Sequence, residues 1–78
     1  MNISCFGSRF YGGQIDRIEK GFIELGIKVL SEDDYNNTPD LIYSNDASHY
    51  SRAIEKWESF KRKPKLILNI FKSRYFQL

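Results

Sequence analysis

The sequence predicts a small three-layer α/β sandwich around a mainly parallel four-stranded sheet. Short apolar runs alternate with segments of helical period, the mark of strands joined by crossover helices. The runs Leu41-Ile42-Tyr43 and Leu66-Ile67-Leu68 are apolar at every position, as strands covered on both faces are. At 78 residues the chain has room for one such unit, near the lower limit of what buries enough surface to fold alone.

Residues 2–6, Asn-Ile-Ser-Cys-Phe, supply the first strand. From 14 to 25, Ile15, Ile18, Phe22 and Leu25 recur at helical spacing, with Asp16 and Glu19 in the early turns where negative charge is favourable. Gly26 stands where a left-handed residue ends a helix, and 27–30, Ile-Lys-Val-Leu, follow as the second strand. Residues 31–40 are the most polar stretch and predict a loop with at most one helical turn. Leu41 to Ser44 is the third strand. Between 47 and 62 a second helix is expected, with Tyr50, Ala53, Ile54, Trp57 and Phe60 or Lys61 recurring at helical spacing along one face. Arg52, Glu55, Lys56, Glu58 and Ser59 are expected on its solvent face, and Pro64 after it as the stop. Residues 65–70 are the fourth strand, and the aromatic tail 71–78 starts a further element. Strand order 2-1-3-4 puts the two helices on opposite faces of the sheet.

Composition narrows the function. A net charge of +2 is too small to indicate nucleic acid, and the basic run Lys61-Arg62-Lys63 suits a helix C-terminus. Cys5 is the only cysteine, so no internal disulfide forms, and within an apolar strand it reads as a small hydrophobe. One histidine and no cysteine pair exclude a multi-histidine or zinc-type metal site. No apolar stretch approaches the length of a membrane span and no signal peptide opens the chain, so the expected location is cytoplasmic.

Ligands of open parallel sheets bind beyond the carboxyl ends of the strands, where strand order reverses. In the order 2-1-3-4 that point lies between strands one and three. Gly7, Ser8 and Arg9 reach it from strand one; Asn45, Asp46 and His49 reach it from strand three. Gly12, Gly13 and Gln14 open the first helix nearby, where unpaired N–H groups and the helix dipole favour an anion. Each residue also has a plainer reading. The glycines make a tight turn, Arg9 pairs with a surface carboxylate, Asn45 or Asp46 caps the second helix, and His49 lies on its first turn. The spacing from Gly7 to Gly12-Gly13 lacks the Lys-Ser/Thr of a P-loop and is not G-x-G-x-x-G.

The run from Phe10 to Val29, with Gly12-Gly13 before a helix that ends in Leu25-Gly26 ahead of a strand, resembles the opening of a GT-B glycosyltransferase of the group called family 4. Pro39-Asp40-Leu41-Ile42-Tyr43-Ser44-Asn45-Asp46 is similar to a segment of the same N-terminal domain, and Lys65 to Ile70 to the strand that follows. The resemblance implies a Rossmann-like fold and sugar transfer from a nucleotide-sugar across a cleft between two domains. It places Gly12 and Gly13 beside the donor diphosphate, and Asn45, Asp46 and His49 on the acceptor side. It implies no cofactor. The donor-binding domain of that family has no counterpart here, so the isolated chain is expected to be inactive, a fragment awaiting a C-terminal domain or a homo-oligomeric partner. Two alternatives remain: a small Rossmann-like protein that binds nucleotides or nucleosides, and an interaction module docking through its edge strand and aromatic tail.

Overall fold

The structure, a computed structural model, describes residues 1–9 and 14–69. Its elements run β1 (Asn2–Phe6), α1 (Gln14–Glu24), β2 (Lys28–Leu30), β3 (Leu41–Ser44), α2 (Tyr50–Ser59) and β4 (Lys65–Leu68), with a 3-10 turn at Ala47–His49 leading into α2. All three strand pairings are parallel, and the order is β2-β1-β3-β4, as the sequence predicts. The molecule is thus a small Rossmann-like α/β sandwich. The expected tail element at 71–78 and the turn at Gly12-Gly13 lie outside the described residues.

Alternation along β1 divides the core into two layers. Ile3 and Cys5 face α1, where they meet Ile15, with Ile18, Phe22, Val29, Leu41 and Tyr43 around them. Phe6 faces the opposite way with Ile42, and α2 covers them through Ala53 and Trp57; Phe60, Leu66 and Leu68 complete that layer. Cys5 is fully buried, and desolvation pushes its thiol up to about 12, leaving it protonated and inert.

Three boundaries differ from the sequence expectation, each for a local reason. Leu25 lies beyond α1 and is exposed, because the chain turns there: Gly26 takes φ +80 and its N–H donates to Ile23 O at 2.9 Å. The second helix ends at Ser59, well before Pro64. Phe60 leaves in extended conformation (φ −94, ψ 136) and buries its ring in the core, a contact a continued helix would forfeit. Strand β4 ends at Leu68, although Asn69 N–H still donates to Ser44 O at 2.8 Å.

The largest departure is Lys56. Expected on the solvent face, it is fully buried. Its Nζ donates to Ser4 Oγ (3.0 Å), Ser31 O (2.9 Å) and Glu32 O (3.0 Å), so all three ammonium protons have acceptors. The rings of Phe6 and Tyr35 stand 5.7 and 5.4 Å from the charge. Desolvation still lowers the lysine pKa, opposed by Asp34, Glu32 and Asp33. A residue of α2 therefore fastens the loop after β2 to the underside of the sheet. Lys56→Met keeps the apolar stem but strands two loop carbonyls and a serine hydroxyl. We expect it to lower the unfolding free energy by about 2–4 kcal/mol, read from urea denaturation.

Candidate functional site

At the carboxyl end of β1 the packing favours glycine. A Cβ on Gly7 would stand 2.2 Å from Asn45 Oδ1 and 3.1 Å from Ile15 Cβ. The bare backbone lets the end of β3 and the first turn of α1 close over β1. Asn45 is 6% exposed, and its N–H donates to Phe6 O at 3.3 Å. Its Oδ1 is buried and has no hydrogen-bond partner among the described residues. A buried acceptor left unpaired costs about 1–3 kcal/mol, which a hydroxyl or N–H donor delivered to it would recover.

Asp46 does the capping that the sequence left open between it and Asn45. Its Oδ1 accepts from Ser48 N–H (3.0 Å) and Ser48 Oγ–H (2.8 Å), starting the 3-10 turn that feeds α2. Those bonds, the backbone one foremost, hold its carboxyl below the usual 3.8. His49 ends that turn, with Nε2 3.9 Å from Asp46 Oδ2 and Nδ1 3.2 Å from Arg52 Nη1. A guanidinium only donates, so Nδ1 accepts and the ring proton is assigned to Nε2.

Above β1 and β2 lies an open cleft of about 560 Å³, lined by Gly7, Ser8, Arg9, Val29, Leu30 and the charged or polar side chains that follow. Arg9 is the first of these. Its Nη1 donates to Asp16 Oδ1 (2.8 Å) and Glu19 Oε1 (2.6 Å), its Nη2 to Glu19 Oε2 (2.9 Å) and its Nε to Glu32 Oε2 (3.2 Å). These bonds, the Glu19 pair first, raise its already high pKa. Glu32 accepts a second guanidinium, Arg52, through its other oxygen. Arg52 in turn lies 5.5 Å over the Phe6 ring. Glu32 thus bridges two arginines, with its side chain only 13% exposed and its own carbonyl held by Lys56.

Of the two sequence readings of Arg9, the geometry takes the carboxylate one. Glu19, Glu32 and Asp33 in the lining, with Asp16 at its margin, outnumber Arg9 and Arg52. An anion seated there meets carboxylates at ~5 Å, each repelling it by ~3 kcal/mol at an effective dielectric near 20. The predicted residues otherwise divide. Gly7, Ser8, Arg9 and His49 line the cleft; Asn45 is buried beside Gly7; Asp46 caps; Gln14 opens α1, exposed. Gly12 and Gly13 lie outside the described residues. Glu19, Glu32, Asp33 and Arg52 were not singled out from sequence. Glu32 was within reach of the rule that sent attention to strand ends, because it follows β2 by two residues on the same edge as Gly7. Among the described residues no group of three or more metal-ligating side chains is found, and no helix is long and apolar enough to cross a membrane.

No family model, no curated protein and no solved structure matches this chain.

Gly7→Ala drives a methyl into Asn45 and is expected to cost about 1–3 kcal/mol in urea denaturation. The double variant Gly7→Ala/Asn45→Ala should recover much of that loss, a non-additivity that marks the contact. Asp46 has a lower pKa folded than unfolded, so its contribution is complete above 3.8 and is lost as pH falls through the folded value. Stability should therefore fall more steeply below pH 3.8 in the native chain than in Asp46→Asn, as measured by urea midpoints across an acid pH series.

Proposed function

We propose that this chain is the acceptor-side, Rossmann-like part of a GT-B type glycosyltransferase, presenting the crevice between β1 and β3 to a nucleotide-sugar and its acceptor. The supporting observation is the buried Oδ1 of Asn45, which has no hydrogen-bond partner among the described residues and packs against Gly7, at the point where the all-parallel sheet reverses strand order. The resemblance of Gly12-Gly13 and of the Pro39 to Asp46 segment to that family supports the same reading. In it, Asn45 and His49 orient the ligand, Ser8 and Gln14 flank the diphosphate, and Asp46 holds the turn that carries His49. Arg9 organises the cleft wall rather than binding phosphate. The chain has no transferase activity by itself in this reading.

A second reading, a nucleotide- or nucleoside-binding protein outside sugar transfer, is favoured by one observation. Glu32 follows β2, where dinucleotide-binding sheets place the acid that takes ribose hydroxyls. Titration of the isotope-labelled chain separates the two. UDP and UDP-glucose should shift the amides of residues 7–9, 14–16 and 45–49 in the first reading, with ADP-ribose weaker. A preference for ADP-ribose supports the second, and silence at these amides with all three ligands removes both.

A further inference from the structure

The basic run Lys61-Arg62-Lys63 does not close the second helix. Helix α2 stops at Ser59, and of the three cations Lys63 reaches back to it, its Nζ donating to Glu58 O at 2.6 Å. The run leads instead to the amino ends of β3 and β4, where Arg62, Lys63 and Lys65 line a pocket of about 190 Å³ with Thr38 and Asp40. Three cations there face one carboxylate, and Asp40 Oδ2 already accepts the Asn2 backbone N–H at 2.8 Å. Among the described residues, the side chains of Arg62 and Lys65 have no hydrogen-bond or ion-pair partner. At the carboxyl edge, by contrast, Arg9 and Arg52 are taken up by carboxylates.

The frame that carries these cations is fixed from both sides. Before the run, Phe60 buries its ring in the core; after it, Trp57 Nε1 donates to Pro64 O at 2.6 Å. Pro39 and Pro64, which complete the lining, are both buried. The backbone between them is tied as well, Asp40 N–H to Asn2 O (2.9 Å) and Lys65 N–H to Asp40 O (3.1 Å). A ligand therefore orders little beyond the side chains of Arg62 and Lys65.

The excess of positive charge favours an anion. A guanidinium fork grips two oxygens of one anion, and the ammonium of Lys65 and the hydroxyl of Thr38 can serve a third. A carboxylate offers two oxygens in one plane, whereas a phosphate monoester offers three and carries nearly twice the charge. The volume is below the ~300–1,000 Å³ of a drug-sized site, which suits one phosphoryl group on a small substituent rather than a nucleotide. We propose that the pocket at the amino ends of β3 and β4 binds a small phosphate monoester. Arg62 and Lys65 are its charged donors, Thr38 its hydroxyl donor, and Lys63 strengthens the field. The site lies at the sheet edge opposite the crevice between β1 and β3, and the inference does not rest on the reading of that crevice.

The test is an amide shift titration of the full 78-residue chain with glycerol 3-phosphate, inorganic phosphate and acetate, at about 0.15 M salt so that diffuse attraction is screened. Saturable shifts at Thr38, Asp40, Arg62, Lys63 and Lys65 with glycerol 3-phosphate, weaker with acetate, are expected. Arg62→Gln and Lys65→Gln should each weaken that binding about tenfold. Lys20→Gln, which removes the same charge from the exposed side of α1, should leave it unchanged. All three side chains are exposed, and the variants are expected to keep the native urea midpoint. Silence at those amides with both phosphates overturns the proposal, as does acetate binding as tightly as the monoester. An equal loss from Lys20→Gln also overturns it, since it would mark attraction to the whole molecule rather than a site. UDP shifts at residues 45–49 with no phosphate response at this edge would sink this inference and leave the reading of the crevice standing. Monoester binding here with no UDP response at residues 45–49 would do the reverse.

Discussion

A single buried ammonium holds β1 and the loop after β2 together. Lys56 leaves α2, passes beneath the sheet and ends among Ser4 of β1 and the carbonyls of Ser31 and Glu32 beyond β2. Few residues join three elements so far apart in sequence. Desolvation of the charge is offset by three hydrogen bonds and two aromatic rings. The benefit is positional: the clasp ties the polar loop after β2 to the sheet and holds Glu32 over the cleft. Glu32 then sets Arg9 and Arg52, so the electrostatic character of the cleft descends from one lysine.

Most of the fold was legible in the sequence. The limits of β1 and β3, the strand order and the division of the helices between faces follow from apolar runs and helical spacing. Gly26 announced the end of α1. Helix ends were less legible, because burial of Phe60 and the 3-10 turn seeded by Asp46 are tertiary and capping effects that periodicity alone does not register. Lys56 was misplaced for an instructive reason. A charge in an amphipathic pattern is read as solvent-facing, yet Lys56 lies three residues after the buried Ala53, on the same face of α2. Spacing put Lys56 on the core side; residue type alone argued against it.

The candidate site was half legible. The topological rule brought Gly7, Ser8, Arg9, Asn45 and His49 to one edge, and the structure keeps them there. It did not reveal that Arg9 is already saturated by Asp16, Glu19 and Glu32. Those carboxylates stand on α1 and on the loop after β2, and only the folded arrangement aims them at one guanidinium. The same arrangement turns an expected anion site into a mixed donor and acceptor wall.

The most direct measurement of this account is the set of nuclear Overhauser contacts made by the Lys56 side-chain methylene protons next to Nζ. The account predicts contacts to the ring protons of both Phe6 and Tyr35, which only the buried clasp brings together on one lysine. A Lys56 side chain with no contact to either ring, and shifts like those of the exposed lysines, would contradict it.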